Sequence, residues 1–477
     1  MRGLIHFQKN PIDIIPGKFV FSIDKLHPYK IFLPFSVDND EHFQYQPFFE
    51  DFGPLPLHQI HYFIIISLNY MDEMQKRSEK KILNFYCSYF PQNISNAILL
   101  AASFRLIHLK MTAEESLKPF ISILKNKSLV IPYRDASSYP SLYDLTILSC
   151  LKGLEKAISL GWYDPLNFDC QEWADCEMIE NGDMNWLIPN KLMAFASPYP
   201  TNNVQGFYVC TPKEIVPAFQ KYGITRIIRL NNKTYDENIF KNAGFKHTEL
   251  YFPDGTNPPP TILKNFLEII EGNDVIALHC KAGLGRTGTL AGCYIIKNYG
   301  FSAPEAIGWI RICRPGSIIG PQQQFLIDYE NSLKCKKNIF SPYSKYDKVT
   351  STIKNTSSFY SKKPSLSRPT TNNNYFGNRN INRSPTNSPR QKSKNPNSLC
   401  SQHSFTPAKP NTPSCNRSLN NKKTPLRVNT SVPNDNYEIR QNHSFISKNV
   451  NHNLSNAPKV PQPRKLKRAI NARKEIR

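Results

Sequence analysis

Apolar residues fall along this chain in short runs of two lengths, with polar turns between them. Val275-Ile276-Ala277-Leu278 has the length of a strand buried on both faces, and the run from Thr289 to Ile296 reads as a buried helix, so residues 279–288 form a strand-to-helix turn. Just upstream, extended Glu249-Leu250-Tyr251-Phe252 leads to Leu263, Phe266, Leu267 and Ile270 at i, i+3, i+4 and i+7, a helical stripe closed by Gly272. The first half repeats the scheme: Ile82 to Cys87 is a strand ending in cysteine, and Asn96 to Ala102 follows as a helix. Capping-box starts then appear at Thr112-Ala113-Glu114-Glu115 and Ser302-Ala303-Pro304-Glu305, 25 residues after Cys87 and 22 after Cys280. An α/β protein with two copies of one fold is expected.

After residue 335 the apolar pattern fades. Residues 336–477 are rich in Asn, Ser, Pro, Lys and Arg, bury too little to offset the entropy of ordering, and are expected to be disordered. Charge divides at the same place. The net +23 of the 477 residues arises entirely in this tail, where 28 Lys and Arg stand against four carboxylates, leaving 32 against 33 in residues 1–335. Arg464-Lys465-Leu466-Lys467-Arg468 and Arg473-Lys474 read as a signal for a nuclear import receptor, as a contact to nucleic acid, or as a solvated charge run. Tail charge is the only support for a nucleic-acid partner, so none is expected. The longest apolar stretch, around Phe63 to Leu68, is too short to cross a bilayer, and Met1-Arg2-Gly3-Leu4 does not open a signal peptide; no membrane insertion is expected. Eleven scattered cysteines without paired spacing indicate free thiols in a reducing compartment.

The turn His279-Cys280-Lys281-Ala282-Gly283-Leu284-Gly285-Arg286-Thr287-Gly288 carries the chemistry. Backbone N–H groups at a helix start lack intrahelical partners and converge on an anion, and glycines at 283, 285 and 288 let the loop curl close to it. The same field favours a thiolate at Cys280, a competent nucleophile. Arg286, six residues on, can hold two phosphate oxygens in its planar fork. Thr287 can donate to the sulfur when it leaves. Of the other ten cysteines, only Cys150 has a basic residue at that offset, Lys156, and none has glycines at the third and fifth positions after it. A serine alkoxide also needs a general acid to leave. Asp254, in Pro253-Asp254-Gly255 one strand-helix unit earlier, supplies it. The chemistry needs no metal or other cofactor, and no ligand cluster suggests one.

These strings resemble the cell-division-cycle-fourteen dual-specificity phosphatases over residues 30–335. The resemblance also rests on Asp51-Phe52-Gly53-Pro54-Leu55, Tyr133-Arg134-Asp135-Ala136, Glu180-Asn181-Gly182-Asp183-Met184-Asn185-Trp186, Cys313-Arg314-Pro315-Gly316-Ser317 and Gly320-Pro321-Gln322-Gln323-Gln324. It implies two tandem dual-specificity-phosphatase-like domains joined by an acidic helical linker, followed by the disordered basic tail. The expected boundaries are a non-catalytic domain at 1–165, a linker at 166–197, a catalytic domain at 198–335 and a regulatory tail at 336–477. In the first copy Asn93 stands six residues after Cys87 and no glycine intervenes, so that copy lacks both cradle and guanidinium.

By the resemblance Cys280 forms the phosphocysteine, Arg286 binds phosphate within the loop 281–285 (Lys281, Ala282, Gly283, Leu284, Gly285), and Asp254 is the acid. Gln322 is a candidate for placing the hydrolytic water. Asp169 to Asp183 hold six carboxylates in fifteen residues without Lys or Arg, and the family's acidic groove maps onto Glu180 and Asp183, with Glu177 a weaker candidate. Such a groove selects Lys or Arg after phosphoserine-proline, so the implied partners are phosphoproteins made by proline-directed kinases, dephosphorylated in cell-cycle control. The implied locations are nucleus and cytoplasm, with spindle or centrosome and basal-body structures. Two other functions compete. A phosphoinositide phosphatase has a second lysine where this chain has Leu284, and a phosphoprotein-binding pseudophosphatase would not need Cys280, Arg286, Asp254 and Thr287 together.

Overall fold

Two central strands, one ending at Cys87 and one leading into Cys280, organise the molecule. The computed structural model describes residues 11–339 apart from 27–30, 37, 39, 139 and 205. The expectations for the tail, its disorder and its basic cluster, fall almost wholly outside the described residues.

In the first lobe β1 (Ile12–Ile15), β2 (Phe19–Ile23), β3 (Phe32–Ser36) and β4 (Ile82–Cys87) form a sheet in the order β1-β2-β4-β3. Strand β4 is parallel to both neighbours, and Leu83, Asn84, Phe85 and Cys87 bury both of its faces. Helix α1 (Leu57–Lys76) precedes β4, and α2 (Pro91–Ile107) follows it, with every residue from Ile94 to Phe104 buried. An α-helix apolar on all sides has to lie inside a core. Helices α3 (Ala113–Leu117), α4 (Ile121–Leu124) and α5 (Ile147–Ser159) complete the lobe.

A short acidic helix, α6 (Cys170–Glu177), is capped by the Asp169 carboxylate, which accepts from Glu172 N at 2.9 Å. The second sheet comprises β5 (Met184–Ile188), β6 (Leu192–Phe195), β9 (Arg226–Arg229), β10 (Lys246–Glu249) and β11 (Ile276–His279) in the order β10-β9-β11-β6-β5, with a separate hairpin of β7 (Asn203–Val204) and β8 (Phe207–Tyr208). The sheet therefore begins inside the segment expected to be linker. Strand β6 is parallel to β11, so Met184 to Phe195 belong to the second lobe and only the α6 region links the two. Helices α7 (Pro212–Lys221), α8 (Asn238–Asn242), α9 (Pro260–Ile270), α10 (Gly285–Tyr299), α11 (Ala303–Cys313) and α12 (Pro321–Ile339) cover this sheet.

The repeat expected from the sequence is present: β4, ending at Cys87, and β11, leading into Cys280, each run into a buried helix, and both capping boxes form, Thr112 with Glu115 and Ser302 with Glu305. Helix α5 of the first lobe lies on α11 of the second through two glycines. A Cβ on Gly153 would sit 2.5 Å from Glu305 O, and one on Gly308 would sit 2.8 Å from the Cys150 Cα. Both obstructions are backbone atoms that no rotamer change relieves. Gly308→Val is accordingly expected to destabilise the chain by at least about 1–3 kcal/mol, the usual cost of overpacking, read as a lower denaturation midpoint. An unchanged midpoint would mean that the two helices separate freely.

Candidate active site

At the end of β11 the backbone turns so that five successive carbonyls each meet a donor in the protein. Cys280 O faces His279 Nδ1 at 3.1 Å, and Lys281 O accepts from Ser197 N at 3.1 Å. Ala282 O and Gly283 O accept from Arg314 Nη2 and Nε at 3.0 and 2.8 Å, while Leu284 O accepts from Gly288 N at 2.9 Å. In a planar trans peptide the N–H points opposite its carbonyl. The N–H groups of residues 281–285 therefore face away from these donors, towards the open side of the loop, the arrangement an anion needs. Gly283 is indispensable to this shape: its φ is +68°, and a Cβ there would lie 2.0 Å from Phe195 O.

Burial pushes the His279 imidazole down to about 3, so the ring is neutral at physiological pH. Because Nδ1 faces a carbonyl it carries the proton, and Nε2 accepts from the Tyr235 hydroxyl at 2.8 Å. Tyr235 reaches His247 Nε2 as well, at 2.9 Å. This buried chain holds the residue before Cys280.

Cys280 is 2% exposed at the base of a cavity of about 500 Å³ whose lining includes Lys281, Ala282, Leu284, Gly285, Asp254 and Gln322. Arg286, 3% exposed, starts α10 and donates through Nη1 to Leu230 O and Phe252 O at 3.2 and 2.9 Å. Its Nη2 lies 3.1 Å from Asp254 Oδ1, and its Nε has no partner among the described residues. One edge of the fork is thus fixed on two carbonyls, while on the other Nη2 meets Asp254 and Nε is left for an anion. Asp254 is 65% exposed on the turn after Phe252, at the mouth of the same cavity. The Thr287 hydroxyl is fully buried and has no partner among the described residues. Gln322 joins the parts, because its Oε1 accepts from Ile319 N at 3.0 Å and its Nε2 donates to Thr256 O at 3.1 Å, beside Gly285. No group of His, Cys, Asp or Glu among the described residues is arranged to hold a metal.

The acidic segment differs from expectation. Glu180 is exposed, as a recognition residue must be. Glu177 and Asp183 are not presented to solvent: their side chains are 3% and 2% exposed. Glu177 accepts from Asn185 Nδ2 at 2.8 Å and lies 3.8 Å from His58, which places it in the junction between the lobes. Asp183 borders the cavity, yet its carboxylate pairs with Arg314 at 3.1 Å. Spacing alone could not separate these three, since burial depends on what packs over the segment. Glu172 is likewise engaged, with Lys221 at 2.7 Å.

Sequence reasoning assigned no role to Arg311, Arg314, Tyr45, Asp51 or Asp135. These side chains lie behind the loop. Arg311 donates to Ser317 O, Ile318 O and Gln323 Oε1, and Asp135 Oδ2 accepts from Gly320 N at 2.7 Å, so the first lobe grips the start of α12. Asp51 accepts from Tyr45 and from Phe49 N nearby, where it and Asp135 face Arg311 electrostatically. In the first lobe, the counterpart of the phosphate loop is filled from within. The Asp38 carboxylate accepts from Ser88 N at 2.5 Å and Asn93 Nδ2 at 3.0 Å, and burial, with Asp38 and Asp24 nearby, pushes the Cys87 thiol well up.

Known proteins share this two-lobed arrangement. Residues 13–157 match the family model described as dual specificity protein phosphatase, N-terminal half, and residues 182–327 match the DSP-PTPase phosphatase domain of the Swiss Army Knife protein model. The dual specificity protein phosphatase CDC14C of Homo sapiens is 39% identical over 308 residues, 64% of this chain and 67% of that one. The chain belongs to the CDC14 family of dual-specificity phosphatases. CDC14AB of Danio rerio is 44% identical over 62% of this chain and 48% of its own, and CDC14A of Homo sapiens is 42% identical over 64% and 51%. The chain thus spans about half the length of these two CDC14 relatives. A solved structure of PTPMT1 in complex with PI(5)P is similar over 32% of this chain and 98% of that one, at 18% identity and a TM-score of 0.28. Among the described residues no helix is long and apolar enough to cross a membrane.

Proposed function

We propose that this chain is a cysteine-dependent protein phosphatase that hydrolyses phosphoserine, and in vitro also phosphotyrosine and phosphothreonine, with a preference for Ser-Pro sites followed by Lys or Arg. The observation that carries the reading is the ring of outward-held carbonyls around Cys280, with Arg286 and Asp254 3.1 Å apart at its open side. Cys280 Sγ attacks phosphorus in line, and the P–O bond breaks as Asp254 gives its proton to the seryl oxygen. Water, deprotonated by Asp254, then attacks the thiophosphate, releasing phosphate and the thiolate. Arg286 and the loop N–H groups hold the charge that gathers on the equatorial oxygens.

Substrate preference rests on the walls. Phe48, Tyr199, Phe207 and Tyr208 give the cavity an apolar, aromatic lining suited to a proline ring, while exposed Glu180, next to the lining residue Ile179, supplies negative charge for a basic residue. The names of the relatives, dual specificity and tyrosine-protein phosphatases, favour the same range of phosphoresidues. From these follows the role of reversing cyclin-dependent-kinase phosphorylation, with phosphoproteins as partners. A nuclear and cytoplasmic location, with import through Arg464 to Arg468, extends the reading to the tail.

The test is steady-state turnover of the purified chain on phosphoserine-Pro-x-Lys peptides, phosphotyrosine peptides and phosphoinositides. The expected result is highest kcat/KM on the first, falling when the Lys is replaced by Glu. Preference for the lipid, or no turnover on any of the three, would overturn the reading.

A further inference from the structure

Arg314 follows α11, 34 residues after Cys280, and is 1% exposed. Each of its three nitrogens donates. Nε and Nη2 bond Gly283 O and Ala282 O at 2.8 and 3.0 Å, and Nη1 bonds Asn185 Oδ1 and Asp183 O at 2.7 and 2.9 Å, with the Asp183 carboxylate at 3.1 Å. Contact is close enough that a Cβ on Gly283 would meet Nη2 at 2.9 Å.

We infer that Arg314 is a positioning residue for the phosphate loop, acting from behind it and anchored on the acidic segment. The inference rests on the reading of the loop as a phosphate site. Two consecutive peptide carbonyls are pulled to one planar cation, so the N–H groups of Gly283 and Leu284 are turned the other way, into the cavity. Charge-assisted donation to those carbonyls also polarises the same peptides, which raises the positive charge on their N–H ends. Arg286 does not share this task, because its fixed edge bonds Leu230 O and Phe252 O. Arg314 therefore touches neither substrate nor sulfur, and its effect reaches the reaction through loop shape and field. The Asp183 and Asn185 contacts hold the far side of the guanidinium, so the acidic segment and the loop share one brace.

The experiment uses the full chain with Arg314→Lys, which retains the charge but cannot fork to both carbonyls, and Arg314→Met, which removes the charge. Three quantities are read: orthovanadate affinity, the pH profile of Cys280 alkylation by iodoacetamide resolved by mass spectrometry, and kcat and KM on p-nitrophenyl phosphate. In Arg314→Lys the expected result is orthovanadate binding weakened about tenfold, an alkylation profile moved to higher pH, and kcat lowered about 10²-fold with a smaller change in KM. Arg314→Met, where it folds, is expected to exceed these changes. A lower melting temperature with unaltered anion affinity and an unaltered alkylation profile in folded Arg314→Lys would reduce Arg314 to packing and overturn the inference. Absence of turnover in the unmutated chain would instead count against the proposed function, while the anion and alkylation measurements would still decide the role of Arg314.

Discussion

Cys280→Ser is expected to lower turnover at least about 10⁴-fold while phosphopeptide affinity stays within about threefold of the unmutated chain. The change replaces one atom at a residue that is 2% exposed, inside a loop whose carbonyls are held by His279, Ser197, Arg314 and Gly288. None of those donors is disturbed, so the cradle and the Arg286 fork remain. What is lost is the nucleophile: a serine hydroxyl titrates far above a thiol, and among the described residues no histidine stands ready to take its proton. His279 is bonded through both ring nitrogens, to Cys280 O and to Tyr235. Steady-state rates and calorimetric titration with the same phosphopeptide separate the two effects. A variant turning over within about tenfold of the unmutated chain would remove Cys280 from its role.

Arg286→Lys is expected to cost about 10³-fold in kcat/KM, within the range known for arginines that stabilise phosphoryl transfer. Lysine keeps the charge and loses the geometry. In the native side chain Nη1 is occupied by Leu230 O and Phe252 O, which fixes the plane with Nη2 beside Asp254 and Nε without a partner among the described residues. An ammonium group cannot serve both carbonyls and two phosphate oxygens. The Phe252 carbonyl would also be left short of a donor, a cost of about 1–3 kcal/mol, whereas Leu230 O keeps Phe252 N at 3.3 Å, so the melting temperature should fall as well. Rates measured well below the melting transition distinguish the catalytic loss from partial unfolding. Retention of more than about a tenth of kcat/KM would show that charge alone suffices.

Much of this site was legible because its parts lie close together in sequence. Ten consecutive residues carry the nucleophile, the glycines and the arginine, and the flanking apolar runs announce β11 and α10. The first lobe's loss of chemistry was equally local, since Cys87 and Asn93 are six positions apart. The roles of Glu177 and Asp183 were not legible. Both belong to a run of carboxylates that looks uniformly solvated, and their burial comes from Asn185, His58 and Arg314, the last of them 131 residues from Asp183. The start of the second sheet was missed for a similar reason. Met184 to Phe195 join the second sheet only because β11, some eighty residues later, pairs with β6.

The sequence by itself determined the two-copy α/β plan, the phosphate loop and the loss of its chemistry in the first copy, because each depends on periodicity or on groups within one turn. Tertiary structure alone decided how the loop is held open. The brace of Arg314 on Ala282 and Gly283, the grip of Asp135 on Gly320 and the internal carboxylate of Asp38 on Ser88 join segments that are 32, 185 and 50 residues apart. A buried guanidinium or carboxylate is tolerated only where such distant partners converge on it, and convergence of that kind leaves no periodic trace in the chain.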